Sequence, residues 1–162
     1  MDAKFSGFFA HQLNESNRVS LPKPFRTLLE ANWGGKLKLV GRDDHIEVYP
    51  FEAYKKQQHL DAEIPTDNLK VFKELVRRHY NTFDVEYDGQ GRILIPNKLK
   101  SDYGIDREVY FIGFLDRILI FAPEKWEAFL QDAQEHREEN SEAVEKWRKN
   151  LAGGDDKGRT VP

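Results

Sequence analysis

The sequence predicts an α+β protein built from two tandem copies of one small unit, followed by a charged helical extension. Three observations predict it. The stretch Asp88-Gly89-Gln90-Gly91-Arg92-Ile93-Leu94-Ile95-Pro96 joins a Gly-x-Gly loop, one arginine, a short apolar run and a proline suited to a first helical turn. A fainter copy stands at Asn14-Glu15-Ser16-Asn17-Arg18-Val19-Ser20-Leu21-Pro22, and Arg18 and Arg92, like Pro22 and Pro96, are 74 residues apart. Behind each copy, short strand-like and helix-like runs follow in the same order.

Residues 5–13 are rich in aromatics and read as a first strand. Asn14 to Asn17 are turn-compatible, because Asn tolerates positive φ better than most residues. Val19 and Leu21 alternate with Ser20 as a half-buried strand does. Pro22 opens a helix with Phe25, Leu28 and Leu29 inward, which Gly34-Gly35 ends. Leu37–Val40 and Ile46–Tyr49 are paired strands across the polar turn 41–45. A short helix from near Pro50 places Phe51 and Tyr54 inside. Asp61 to Pro65 is the linker between halves. Thr66 then caps an amphipathic helix carrying Leu69, Phe72, Leu75, Val76 and Tyr80.

The second half repeats this order. Phe83–Tyr87 alternates as a strand, the glycine loop and Ile93–Ile95 follow, and Pro96 starts a helix with Leu99 and Tyr103 inward. Glu108–Ile112 and Arg117–Phe121 form the second strand pair. Gly41 corresponds to Gly113, and Tyr49, Pro50 and Tyr54 to Phe121, Ala122 and Trp126. After Ala122 comes a charged helix with Trp126, Phe129, Leu130, Ala133, Val144 and Trp147 as apolar positions. Glu135–Glu145 is either a solvated helix or a break between two. Residues from Gly153 onward read as a disordered tail whose loop-like Asp155–Pro162 echo has nothing behind it to build a third unit. The expected divisions are a first repeat over 5–60, a linker and central helix over 61–81, a second repeat over 82–130, and a charged C-terminal helix and tail over 131–162.

At 162 residues with 39% hydrophobic and 33% charged residues, the chain predicts a soluble globular protein with a heavily charged surface. Its apolar runs are too short for a membrane span, and no secretory core follows Met1. With no cysteine, disulfides and thiolate metal sites are excluded, which fits a reducing cytoplasm. The net charge of −3 comes from residues 124–162, which hold ten acids and seven bases. The preceding part is neutral, and both repeated stretches within it lean basic. Local charge of this kind decides a binding face.

An arginine held outward on a tight bend of a rigid sheet suits a phosphate or a guanine edge. Gly89 and Gly91 permit a sharp turn, and Asp88 stands where it can pair with Arg92 and hold its direction. The blander reading is a hairpin whose arginine closes a surface salt bridge; the duplication raises the first reading to parity. The loop is not a nucleotide fingerprint, since a strand follows it and no P-loop lysine is present. The five histidines show no ligand spacing, so neither metal nor cofactor is expected. Asp43-Asp44-His45 reads as a solvated turn before it reads as an acid–base or metal cluster. Arg77-Arg78-His79 complements a helix C-terminus. The aromatics read as core or subunit contact before base-stacking platforms. No catalytic constellation can be argued, and no enzyme or small-molecule substrate is expected.

The pattern Asp-x-x-Gly-Arg-x-x-x-Pro, present twice with helix, hairpin and aromatic-ended helix behind it, resembles the MraZ transcriptional regulators, part of the wider AbrB/SpoVT-like swapped-hairpin fold. The resemblance covers residues 5 to about 130. It is strongest at Val85–Asp88, Gly91–Pro96, Val109–Gly113 and Trp126, and in the first half at Arg18, Leu21, Pro22, Phe25 and Arg26. Two positions depart from it. Asn14 stands where the family has aspartate and brings no formal charge to Arg18, and Asn17 replaces a glycine while remaining able to turn.

The resemblance implies two AbrB-like swapped-hairpin half-domains around a β-barrel-like core with peripheral helices. It also implies a cytoplasmic, nucleoid-associated regulator that binds double-stranded DNA at short direct repeats upstream of the cell-division and cell-wall gene cluster, as a homo-oligomeric ring. Carried over, Arg18 leads the DNA contacts, Arg92 is its counterpart, and Lys23, Arg26, Lys98 and Lys100 add phosphate contacts. The rival expectation is a protein–protein assembly module whose loops touch a partner or a neighbouring subunit and bind no DNA.

Overall fold

The computed structural model describes residues 4–156, which fall into two compact units divided between Trp126 and Glu127. The first unit runs β1 (Phe5–Gln12), β2 (Arg18–Ser20), α1 (Lys23–Asn32), β3 (Lys36–Gly41), β4 (Ile46–Pro50), α2 (Phe51–Ala62) and α3 (Leu69–His79). It continues with β5 (Thr82–Glu86), β6 (Arg92–Leu94), α4 (Asn97–Asp102), β7 (Glu108–Leu115) and β8 (Arg117–Phe121). α5 (Pro123–Glu135) crosses the division, and α6 (Arg137–Asp156) lies in the second unit.

Six strands form one antiparallel sheet in the order β1-β7-β8-β4-β3-β5, and β2 pairs with β6 in a separate two-stranded ribbon. The order is a palindrome of the two halves. β1 stands to β7-β8 as β5 stands to β3-β4, so each half's first strand pairs with the other half's hairpin. Phe8 lies opposite Ile112 in one such pair and Leu37 opposite Val85 in the other. The hairpins meet where Val48 lies opposite Ile118. Gly41 and Gly113 occupy equivalent places, each paired with an isoleucine, Ile46 and Ile118.

The expected barrel-like core is corrected here: the sheet is open. β1 and β5 stand at opposite edges, and β2 and β6 are three residues long and hydrogen-bond to each other in the ladder, too short to bridge both edges. The ribbon instead seals the core. Val19 and Ile93 point inward from it and join Phe25 and Leu29 of α1, Leu99 of α4, and the sheet residues Leu39 and Phe111 in one apolar cluster. Burial of this kind contributes roughly 25 cal/mol for each Å² of apolar surface removed from water. The cluster therefore holds the two halves together as one body.

Local chemistry explains the helix ends. Pro22 and Pro96 sit at the N-caps of α1 and α4 without side-chain cap bonds, and Gly34, at φ 88°, closes α1 by donating its N–H to Leu29. The cap of α3 is Asn68, whose side chain accepts from the N–H groups of Lys70 and Val71, so Thr66 is not the cap. α2 is longer than expected at 12 residues and buries Ala53 and Tyr54, with Phe51 half-buried. In the Glu135–Glu145 span, one helix ends at Glu135 and another starts at Arg137. The break falls at His136, which donates its backbone N–H to the Asp132 carbonyl. Helix α6 carries on past Gly153 to Asp156, so that stretch is not a disordered tail; residues 157–162 of the proposed echo lie outside the described residues.

Candidate nucleic-acid interface

Each arginine loop is a five-residue turn closed by its first residue. In the first, Asn14 donates its N–H to the Arg18 carbonyl (2.8 Å) and accepts from Asn17 N–H (3.0 Å). Its side-chain oxygen accepts from the N–H groups of Ser16 (2.9 Å) and Arg18 (3.0 Å). The second loop repeats this bond for bond. Asp88 donates to the Arg92 carbonyl (2.9 Å), accepts from Gly91 N–H (2.9 Å), and its Oδ1 accepts from Gln90 (2.9 Å) and Arg92 (3.0 Å). Asn17 and Gly91 supply the left-handed residue, at φ 61° and 76°. Gly89 has ordinary φ and open space around it, so only the second glycine of Gly-x-Gly is demanded by the turn.

The register of the ribbon sets where the arginines go. Arg18 pairs with Leu94, Val19 with Ile93 and Ser20 with Arg92. Since Val19 and Ile93 face the core, alternation turns Arg18, Ser20, Arg92 and Leu94 to the outer face. The two arginines are diagonal neighbours there, with side-chain bases roughly 7–8 Å apart. The loops also brace each other, as Leu21 N–H donates to the Gly91 carbonyl and Ile95 N–H to that of Asn17, both at 2.9 Å.

The guanidinium groups differ. Arg92 donates from Nε to Asp88 Oδ2 at 3.0 Å. The Asp88 carboxyl is held below its usual range, first by the Arg92 backbone N–H, and further by the Gln90 N–H and the Arg92 side chain against partial desolvation. Arg18 has no side-chain hydrogen bond or ion pair among the described residues, because the Asn14 amide offers no charge.

The other basic candidates have varied surroundings. Lys23 is exposed at the start of α1. Arg26 reaches over the opposite loop and donates to the Gln90 carbonyl at 3.3 Å, and its counterpart Lys100 donates to Asn17 Oδ1 at 2.9 Å. Each helix thus steadies the loop of the other half. Lys98 pairs with Asp102 at 2.7 Å and lies over the Tyr80 ring.

One polar cluster escaped sequence reasoning. Glu47, buried on the central strand β4, accepts from Tyr49 (2.6 Å), Arg42 (3.1 Å) and Arg117 (3.4 Å), while its other oxygen lies 2.9 Å from His45 Nε2. Burial alone raises a carboxyl pKa, but bonds to His45 and Tyr49 and the charges of Arg42 and Arg117 outweigh it and hold Glu47 at about 2. The signal was a glutamate between two strongly apolar neighbours, which alternation alone assigns to solvent. The turn before it is less solvated than expected: His45 stacks on Phe121 with centroids 4.8 Å apart, and Asp43 is the exposed member, paired with Arg77. Arg117 comes from the second half, so the cluster ties the hairpins together. Arg77 and Arg78 both pair with Glu74, and His79 bonds to Asp61 and Tyr54. Among the described residues there is no group of His, Cys, Asp and Glu able to hold a metal, and no helix long and apolar enough to cross a membrane.

Comparison with known proteins agrees with this geometry. The profile of the family described as "MraZ protein, putative antitoxin-like" matches residues 5–72 and 80–148. A protein named transcriptional regulator MraZ from Lachnoclostridium phytofermentans is 34% identical over 128 residues, covering 76% of this chain and 85% of the relative. Its namesake in Saccharopolyspora erythraea is 31% identical, covering 87% of this chain and 94% of the relative. That of Halothermothrix orenii is 30% identical, with 87% and 96% covered. With paired arginine loops on one ribbon and both repeats matched, the chain belongs to the MraZ family.

Proposed function

We propose that the chain is a DNA-binding transcriptional regulator that presents Arg18 and Arg92 to DNA from the outer face of the β2–β6 ribbon. One observation carries the reading: the two guanidinium groups, far apart in sequence, emerge side by side on one outward face. A two-stranded ribbon fits the major groove, and arginine is the residue that reads guanine bidentately there. Lys23 lies near enough in the chain to add a phosphate contact, with Arg26, Lys98 and Lys100 contributing once DNA competes for their present partners. The relatives carry the name of a regulator, and the chain is not an enzyme.

The finer reading follows the same resemblance. The target is short direct repeats before the cell-division and cell-wall gene cluster, and the place of action is the cytoplasm, at the nucleoid. The exchange of first strands between halves supports a swapped-hairpin fold, with repeats over 5–60 and 82–130, the connection over 61–81 and the extension over 131–162. One ribbon with two arginines binds weakly; a closed ring of copies over repeated sites raises the effective affinity by multivalency.

The test is binding to a promoter fragment carrying direct repeats, measured against salt. Affinity is expected to fall steeply as salt rises. Arg18→Ala and Arg92→Ala are each expected to weaken binding about 10- to 100-fold with the fold intact. Salt-independent binding, or unchanged affinity in both variants, removes the ribbon from the mechanism.

A further inference from the structure

Each strand of the β2–β6 ribbon is three residues long, so its outer face consists of the side chains of Arg18, Ser20, Arg92 and Leu94. A local two-fold axis through the Val19–Ile93 pair exchanges the strands, carrying Arg18 onto Arg92 and Ser20 onto Leu94. The arginine diagonal keeps that symmetry. The other diagonal breaks it, with a hydroxyl at one end and an isobutyl group at the other. Leu94 is 39% exposed. The Ser20 carbonyl accepts from His11 Nδ1 at 2.7 Å, and its exposed hydroxyl has no hydrogen-bond partner among the described residues.

A lone exposed leucine is ordinary on a protein surface. On this face, however, Leu94 lies directly opposite Arg18. Side-chain bases of such a pair are roughly 4.5–5.5 Å apart, against about 3.4 Å from one base pair to the next. A ribbon that brings Arg18 to a guanine edge therefore carries Leu94 to the same base pair or its neighbour. In the major groove the thymine 5-methyl is the one apolar marker, and the other markers are hydrogen-bond donors or acceptors. Leucine neither donates nor accepts, so a polar base edge pressed against it loses water without recompense. Serine does both and discriminates little between bases.

We propose that Leu94 selects thymine, its side chain packing on the 5-methyl group beside the guanine met by Arg18, while Ser20 leaves the equivalent place beside Arg92 unselective. This deepens the DNA-binding reading above and rests on it. The recognised site is consequently lopsided, with a required thymine beside one guanine and not beside the other. A ribbon that is two-fold in its backbone thus reads a sequence that is not.

The test compares the promoter fragment carrying direct repeats in two forms, one with thymine and one with uracil, which pairs alike and lacks only the 5-methyl. Equilibrium binding is measured for the full-length protein, for Leu94→Ser, which copies its counterpart, and for Ser20→Ala. Circular dichroism checks the fold, size-exclusion with light scattering checks the assembly, and the comparison in the unaltered protein needs no variant. Uracil is expected to weaken the unaltered protein about 4-fold for each ribbon engaged, the worth of one buried carbon. Leu94→Ser is expected to bind both forms equally, and Ser20→Ala to keep the uracil penalty. Equal affinity of the unaltered protein for both forms overturns the proposal and leaves the arginine contacts standing. A penalty that survives in Leu94→Ser belongs to DNA shape and overturns it likewise. A changed oligomer size in Leu94→Ser means that protein covers this leucine, which also overturns it. Binding to neither form removes the DNA-binding reading and this contact together.

Discussion

The two arginine loops have the same backbone and different chemistry, which separates two things that one loop alone would confound. Both turns close through the same set of hydrogen bonds, with an oxygen on residue 14 or 88 accepting from two N–H groups. An amide oxygen performs that task as well as a carboxylate oxygen, so shape does not depend on charge. Presentation does: Arg92 is tethered to Asp88, whereas Arg18 has no side-chain partner among the described residues. The first loop therefore offers a cation with no neutralising partner among the described residues, and the second a cation held and partly neutralised by Asp88. Their outer neighbours differ too, with Leu94 across from Arg18 and Ser20 across from Arg92. The ribbon is symmetric in its hydrogen bonds and asymmetric in what it shows.

Substitutions can break this comparison at several levels. The deepest is the shared floor. Ile93→Ala is expected to destabilise the protein by about 2–5 kcal/mol, and Val19→Ala by less because fewer methyl groups leave the core. Urea unfolding checks both, and a loss smaller for Ile93→Ala than for Val19→Ala would mean that the ribbon is not supported evenly from below.

The left-handed residues come next. Gly91→Ala strains φ 76° and drives its new methyl into the Arg26 side chain, whose Cδ and Cζ lie 2.7 and 2.8 Å from the added carbon. A cost of about 1–2 kcal/mol is expected, partly absorbed because Arg26 can swing away. Asn17→Gly relieves the same strain but loses the bonds to Asn97 and Lys100, so little net change is expected. Equal losses in the two thermal melts would show that the braces outweigh the backbone.

Asp88→Asn makes the second loop chemically like the first. The turn is expected to survive with little change in melting temperature, and only the hold on Arg92 to go. A collapse of the loop, seen as loss of amide protection at Gln90 and Arg92, would contradict the equivalence of amide and carboxylate.

The smallest effect is a titration. Asp88 has a folded pKa below its ordinary 3.8, so its contribution is complete above that value and fades as pH falls through the lower one. Asn14 has nothing to titrate. In NMR spectra recorded from about pH 5 to about pH 3, the amides of Gln90 and Arg92 are expected to move while those of Ser16 and Arg18 stay. Parallel movement of both pairs would sink the distinction.

Much of this was legible in the chain because the unit is local. The loop, the short strand and the proline-started helix need only a few adjacent residues, so propensity and spacing reveal them. Asn17 announces a left-handed turn by being asparagine. One boundary moved where a neighbour intervened: Asn68 displaced Thr66 as a cap because its side chain reached two N–H groups, while of the two readings open for the acidic span the structure shows the break, at His136. Glu47 was illegible because its partners Arg42, Tyr49 and Arg117 are gathered by strand pairing, and only that gathering makes a carboxylate stable in the interior.

By itself, the order of residues determined the duplication, the two bends and which residues face inward beside them, since these follow from side-chain volume, backbone freedom and period-two alternation over short distances. Tertiary structure decided that the sheet stays open, that each half lends its first strand to the other, and that Arg18 and Arg92 become neighbours. Those outcomes depend on pairings between segments far apart in the chain, such as Phe5 with Leu115, Leu37 with Val85 and Arg18 with Leu94. Such pairings are selected by how the whole apolar surface can be buried at once, and no local stretch carries that information.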